Sequence, residues 1–154
     1  MFRRAPRPTL RTLGAVGSVA ALAALSAPAT PAAAAPTPVE QQLLERLARA
    51  RTTHGLKPYR LGGAITSVAR EQARRMADSG TLHHNPRLTT EVTRWRHVGE
   101  NVGEGPDPVT VHRAFMASPA HRANILSRSY TRVGVGAVVR DDIIWVAEVF
   151  KTPR

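Results

Sequence analysis

The sequence predicts a single α+β domain in which helices cover both faces of an antiparallel sheet. Helix-forming segments occupy most of residues 36–126, and two β-strand segments close the chain at 132–140 and 143–151. Both faces of the hairpin that these strands form carry apolar side chains, so both need a covering layer. A length of 154 residues allows one such domain plus a tail.

The first 35 residues have the composition of a secretory signal peptide. Four arginines without an acid precede an apolar run from Leu13 to Leu25, and the small-residue stretch SAPATPAAAA follows. The run is short for a bilayer-spanning helix, and an uncleaved membrane anchor is the alternative. With cleavage near Ala33–Ala35, we expect a signal peptide at 1–35, a linker at 36–38 and the folded domain at 39–154. The mature protein is then secreted, extracellular or at the cell envelope, and does not span a membrane.

Local signals place the helices. Thr37, Pro38 and Glu40 form a capping-box pattern that opens a helix running to about residue 53. A second helix is predicted for 64–79, with Gly80 as its C-terminal stop. A polar loop at 81–86 follows, then a short helix at 88–95 and a short strand or loop at 97–104. Two N-cap and proline pairs, at 107–108 and 118–119, open helices to about 117 and 126. We interpret 57–63 as a turn region anchored by Leu56 and Leu61.

The closing hairpin has a specific expected register. If Asp141-Asp142 is a two-residue turn, Val139 lies opposite residue 144, and Val135 lies opposite Glu148. One face then carries a carboxylate among apolar side chains, and the other carries the glycines of the VGVG stretch, Gly134 and Gly136.

Composition excludes several classes of protein. The absence of cysteine excludes disulfides, zinc–thiolate sites and a cysteine nucleophile. The net charge is +11, but four of the cations lie in the predicted signal peptide, which leaves 18 basic and 11 acidic residues and a net charge of +7. An aromatic content of 5% and the predicted export argue against nucleic-acid binding.

Two histidines and two glutamates are the candidate functional residues. His121 falls at the third position of a helix opened by Ser118, where the helix dipole favours a neutral imidazole that suits a metal ligand or a general base. The alternative is that His121 only bonds a neighbouring loop. His84 lies in the loop at 81–86, and Glu100 lies in a Gly-Glu-Asn stretch that by itself is typical of a turn. Together, His84, His121 and Glu100 could form a three-ligand divalent-metal site, although their spacing matches no HExxH-type pattern.

Glu148 is expected in the middle of a strand, between Val146 and Phe150. A buried carboxylate must find hydrogen-bond donors or stay protonated, and Arg122 or a histidine could serve as donor. The alternative is a glutamate at the edge of the core that reaches solvent.

Six segments together resemble the bacterial branch of the CAP superfamily (cysteine-rich secretory proteins, antigen 5, pathogenesis-related 1), also called the SCP domain. They span roughly residues 39–150, in the family's order. They are LLERLARARTTHGLKPYRL, VAREQARRMADSGTLHHN, VGENV, FMASPAHRANIL, YTRVGVGAVV and WVAEVF. The resemblance implies a three-layer α–β–α sandwich with a central antiparallel sheet. It also implies a cleft lined by histidines and acids that in the wider family can hold a divalent cation, often zinc.

The resemblance assigns residues to that cleft. His84 matches the family's first histidine and Glu100 the glutamate of the GEN stretch, whereas Trp145 stands where the second histidine is usual and Glu148 where glutamine is usual. The family's further acid is missing from the region of Phe115 and Ser118. The complete set of expected cleft residues is His84, Glu100, Asn101, His121, Arg122 and Glu148, with His84 and His121 as the candidate metal ligands.

We therefore interpret the chain as a secreted, monomeric, non-enzymatic binding module of the bacterial cell envelope. Its partner would be an anionic envelope component, a lipid or another protein, and not nucleic acid. The alternative is a divalent-metal-dependent hydrolase of peptide or peptidoglycan bonds, in which Glu100 is the general base.

Overall fold

The computed structural model describes residues 34–154, and the predicted signal peptide lies outside this range except for its last two residues. Five helices and four strands follow one another along the described chain. They are α1 (Pro38–Thr53), β1 (Arg60–Leu61), α2 (Gly63–Ser79), α3 (Leu88–Glu91), β2 (Trp95–Gly105), α4 (Pro108–Ala117), α5 (Pro119–Ile125), β3 (Arg132–Arg140) and β4 (Ile143–Pro153). The strands form one sheet in the order β1-β3-β4-β2, in which only the β1–β3 pair is parallel.

The helix boundaries confirm the capping predictions. Thr37 Oγ1 accepts a hydrogen bond from the Glu40 amide at 3.3 Å, and the Glu40 carboxylate accepts one from the Thr37 amide at 2.8 Å. Gly80 ends α2 in the left-handed region, with φ of 60°. Ser118 is the N-cap residue of α5, but its side chain makes no capping hydrogen bond.

The hairpin register is also confirmed. Val135 pairs with Glu148 and Val139 with Ile144 across β3 and β4. Asp141 and Asp142 have φ of 51° and 60°, the two positive values that a tight hairpin turn requires.

Two predictions about the connecting segments were wrong, and one predicted strand is longer than expected. The short helix at 88–95 is only the four residues of α3, because Trp95 already begins β2 and pairs with Pro153 of β4. The short strand or loop at 97–104 is an eleven-residue strand. The turn region at 57–63 contains β1, and Leu61 is no core anchor because it is 47% exposed.

Each face of the sheet has its own apolar core, as the sequence predicted. The core on the first face lies beneath α1, α4 and α5 and is formed by Leu43, Leu47, Val111, Phe115, Ile125, Val133, Val135, Ile144, Val146 and Phe150. The core on the second face lies mainly beneath α2 and is formed by Ile65, Ala69, Met76, Ala77, Val92, Val102, Trp145, Ala147 and Val149. The predicted three-layer α–β–α sandwich is therefore the observed fold.

Candidate functional site

The edge strand β2 presents the candidate residues to opposite faces of the sheet. Glu100 pairs with Val149 and belongs to the α2 face, whereas Asn101 pairs with Glu148 and belongs to the face beneath α4 and α5. Side chains alternate along a strand, so two neighbouring residues reach two different environments. The site therefore consists of two polar groups that meet at the edge of the sheet.

The first group joins Glu100 to the loop after α2. Glu100 Oε2 accepts hydrogen bonds from His84 Nδ1 at 2.8 Å and from the Asn85 amide at 2.9 Å. The Glu100 side chain is only 2% exposed, whereas that of His84 is 64% exposed. In this geometry His84 Nδ1 is the donor to the Glu100 carboxylate, and His84 Nε2 is left without a hydrogen-bond partner among residues 34–154.

The second group is centred on Asn101, which is fully buried. Asn101 Nδ2 donates to Glu148 Oε2 at 3.0 Å and to the His121 carbonyl at 3.2 Å. Its Oδ1 accepts from Asn124 Nδ2 at 2.9 Å, and Asn124 also donates to the Glu100 carbonyl at 3.2 Å. A single amide thus ties β4, β2 and α5 together.

Glu148 behaves as a buried acid. It is 0% exposed, which overturns the alternative of a glutamate reaching solvent. Burial raises its pKa to about 8, and the hydrogen bond from Asn101 opposes this rise only in part. The side chain is then protonated at neutral pH. The expectation that Arg122 or a histidine donates to Glu148 was wrong, because Asn101 supplies the bond and Arg122 contacts His54 Nε2 at 3.1 Å instead.

A neutral His121 was predicted from its helix position, and its pKa is lowered, but the causes are burial and a neighbouring histidine. Burial and then repulsion by His84 lower the pKa of His121. The His121 ring meets Phe115 edge-on, with ring centroids 5.1 Å apart. His121 is therefore an uncharged imidazole between the helix layer and the edge strand.

The metal prediction gains limited support from this arrangement. Within residues 34–154, no group of three or more histidine and acidic side chains has the geometry to hold a metal ion. Trp145, which occupies the place of a usual family ligand, is 7% exposed and belongs to the core beneath α2. The residues present do not fit a metal centre with three protein ligands.

Asn85 and Asn124 contribute to the site without having been predicted from the sequence. Both stand next to predicted site segments, but an asparagine in a loop or helix carries no signal that distinguishes it from a local backbone cap. The glycines near Glu100 are places of close approach between β2 and the helix layer. A Cβ on Gly103 would lie 2.6 Å from the Phe115 ring, and one on Gly99 would collide with the Tyr130 hydroxyl.

Fold and site together define a cysteine-free α–β–α sandwich in which a buried carboxylate, Glu100, orients the exposed imidazole of His84. The model of the CAP family, described as the cysteine-rich secretory protein family, matches residues 44–149. The chain belongs to the CAP family.

Relatives in sequence and structure agree with this assignment. The uncharacterized protein YkwD of Bacillus subtilis is 28% identical over 127 residues, which are 75% of this chain and 49% of that protein. The chain therefore spans about half the length of this curated relative. An outer surface protein of Borrelia burgdorferi superposes with a TM-score of 0.68 at 18% identity, covering 74% of this chain and 92% of that one. An extracellular SCP-domain protein of Bacillus anthracis superposes with a TM-score of 0.63 at 24% identity, and the match covers 77% of this chain and 44% of that one.

No helix within residues 34–154 has the length and apolar character needed to cross a bilayer.

Proposed function

We propose that the chain is a secreted, monomeric, non-enzymatic binding module that acts at the bacterial cell envelope through the site around His84 and Glu100. The observation that carries the proposal is the difference in exposure between two bonded side chains: the His84 imidazole is presented to solvent, while the Glu100 carboxylate that accepts its hydrogen bond is buried. A carboxylate that attacked a substrate or its water would need to be within hydrogen-bond reach of the reacting atoms. Glu100 instead orients His84, which suits recognition.

Charge and relatives support the envelope as the location. The net charge of +7 outside the predicted signal peptide favours anionic partners such as wall polymers or lipid headgroups, and a protein partner is the further possibility. The structural relatives described as outer surface and extracellular proteins support the same compartment.

The test is retention of the purified protein on isolated bacterial cell walls and on anionic lipid vesicles. We expect His84→Ala to weaken retention by about tenfold, the size of one charge-assisted hydrogen bond. The matched control is His97→Ala, which removes an exposed histidine near the start of the same strand, β2. We also expect retention to fall as salt rises, because exposed charges are screened. Equal binding by the His84 variant and the parent protein would refute the role of this site.

A metal-dependent hydrolase remains the second proposal because of one feature. A histidine that donates Nδ1–H to a carboxylate and keeps Nε2 free has the form of many metal-ligating histidines. Zinc binding that disappears in both His84→Ala and His121→Ala, together with release of peptide or wall fragments that Glu100→Gln abolishes, would favour this proposal over the binding module.

A further inference from the structure

A second polar site lies at the N-terminal end of α2 and shares no residue with the His84 site. Four cationic side chains, from the loop before β2, the start of β3 and the end of β4, line a cavity of about 350 Å³ there. They are Arg94, Arg132, Lys151 and Arg154. The other lining residues include the first residues of α2, and none of the lining residues is acidic.

The cations are placed in a way that folding alone does not favour. Arg132 and Lys151 lie directly opposite each other on β3 and β4, and like charges in this relation destabilise a sheet. Burial and repulsion from Arg132 and Arg94 lower the pKa of Lys151. Among residues 34–154, no acidic side chain forms an ion pair with any of the four, although seven arginine–carboxylate pairs are made elsewhere. The buried Nε of Arg132 finds no hydrogen-bond partner in this described part of the chain.

Backbone contacts hold two of these cations over the cavity. Lys151 Nζ donates to the Thr93 carbonyl at 2.6 Å, and Arg154 Nε donates to the Trp95 carbonyl at 2.9 Å. Each side chain keeps further N–H groups for a ligand. The protein therefore orders these two cations, and no acidic side chain of residues 34–154 pairs with the cluster.

The start of α2 adds donors to the same cavity. Gly62 caps the helix without a side-chain hydrogen bond, and the first intrahelical bond is donated by Thr66 to the Gly62 carbonyl at 2.9 Å. The amides of residues 63–65 precede that bond, and they belong to residues that line the cavity. Free amides at the positive end of a 17-residue helix attract an anion.

We propose that this cavity binds a phosphate group. The donors outnumber what a carboxylate can accept, whereas a phosphate offers several oxygens and takes paired N–H groups from arginine. In this arrangement the phosphate contacts Arg132 and Lys151 on one side and the α2 amides on the other. Free phosphate, the phosphodiester of a wall polymer and a phospholipid headgroup share this chemistry.

The first test titrates inorganic phosphate into the full chain and follows backbone amides by NMR. We expect saturable shifts of residues 63–65 that an equal concentration of chloride does not reproduce. Arg132→Gln combined with Lys151→Gln should weaken the affinity by about tenfold or more. The matched control is Arg128→Gln with Lys57→Gln, which removes one arginine and one lysine from another basic groove and should change the affinity by less than about threefold.

A second variant separates binding from folding. Ala64 is exposed in the first turn of α2, so Ala64→Glu places a carboxylate where the helix dipole favours it and should raise the melting temperature. The same carboxylate should occupy the cavity and abolish phosphate binding. Glycerophosphodiesters and vesicles with anionic headgroups then show which source binds most tightly. Absence of saturable shifts with phosphate, equal shifts with chloride, or equal losses in the two double variants would overturn the proposal. Each of these results is independent of His84→Ala, so this site and the proposed function fail separately.

Discussion

Replacing Gly136 with alanine tests how the helix layer is seated on the sheet. A Cβ at this position would lie well within 3.0 Å of backbone atoms of Ala69 and Arg70 in α2. These backbone atoms of α2 cannot avoid the new Cβ by a change of rotamer, so the whole helix must move away from β3. The seven buried residues of α2, including Ala69 and Met76, would lose contact with the sheet together.

The size of the effect follows from that displacement. Restoring ordinary carbon–carbon contact near 3.5 Å requires a shift of about 1 Å, and gaps of this size forfeit between a quarter and a half of each dispersion contact. Overpacking a core costs about 1–3 kcal/mol when side chains can adjust. Here the new Cβ is fixed to the strand backbone and the atoms it meets are helix backbone, so neither can adjust by changing a rotamer. We therefore expect Gly136→Ala to lower the free energy of unfolding by about 3–5 kcal/mol, a large part of a typical domain's stability.

The assay is urea unfolding followed by circular dichroism, with Gly80→Ala as the control. Gly80 has φ of 60°, and a Cβ added there would meet no atom within 4 Å, so its substitution introduces only backbone strain of about 1 kcal/mol. Gly136→Ala should therefore be clearly the more damaging substitution. A loss at Gly136 no greater than that at Gly80 would show that α2 is not held by close backbone approach.

Three further outcomes follow from buried polar groups. Arg51→Ala should cost about 3–5 kcal/mol in urea unfolding, because this buried guanidinium donates to three backbone carbonyls, whereas the exposed Arg49→Ala should cost under about 0.5 kcal/mol. Burial raises the pKa of Glu148 to about 8, so the folded state keeps a proton that the unfolded chain releases. The free energy of unfolding should therefore decline by a few kcal/mol as pH rises from about 4.5 to about 8. Glu148→Gln should remove this decline, which urea unfolding curves across pH 4–9 would measure. Thr37→Ala should lower the melting temperature by the equivalent of about 1 kcal/mol, and an unchanged value would contradict the capping box.

The sequence predicts those elements whose signals are local. Capping residues and a helical period determine α1, α2 and α4 within a few neighbouring residues. The alternation of apolar residues in β3 and β4, together with a two-residue turn, determines the register that brings Val135 opposite Glu148.

The sequence predicted β2 only as a short strand or loop, because the packing that stabilises this strand also weakens its sequence signal. On the face toward α4 and α5 it carries glycine at 99, 103 and 105, and glycine weakens any strand pattern. Side chains added there would collide with Tyr130, Phe115 and Val111. The glycines let the helix layer approach the edge strand, and this requirement becomes visible only in three dimensions.

The same packing explains why the donor to Glu148 could not be predicted. Asn101 interrupts that row of glycines with a side chain, so it fills the space between Glu148 and the start of α5. Which residue faces Glu148 depends on the register of β2 against β4, and these strands are far apart in sequence. Arg122 was the more obvious candidate by charge, but its position in α5 directs it to His54.

Without cysteines, the chain joins its layers by buried polar links instead of disulfides. Arg51 connects α1 to the chain beyond α5 over 76 residues, and Glu40 connects α1 to Arg70 of α2 over 30 residues. The Asn101–Glu148 hydrogen bond joins β2 to β4 across a sequence separation of 47 residues. A buried pair that loses one partner leaves an uncompensated polar group, so each link penalises partial opening much as a covalent bond would. The last link also positions the functional site, because the strand that places Asn101 beneath α5 presents Glu100 to His84 on its other face. Stability and site geometry therefore depend on the same register of β2.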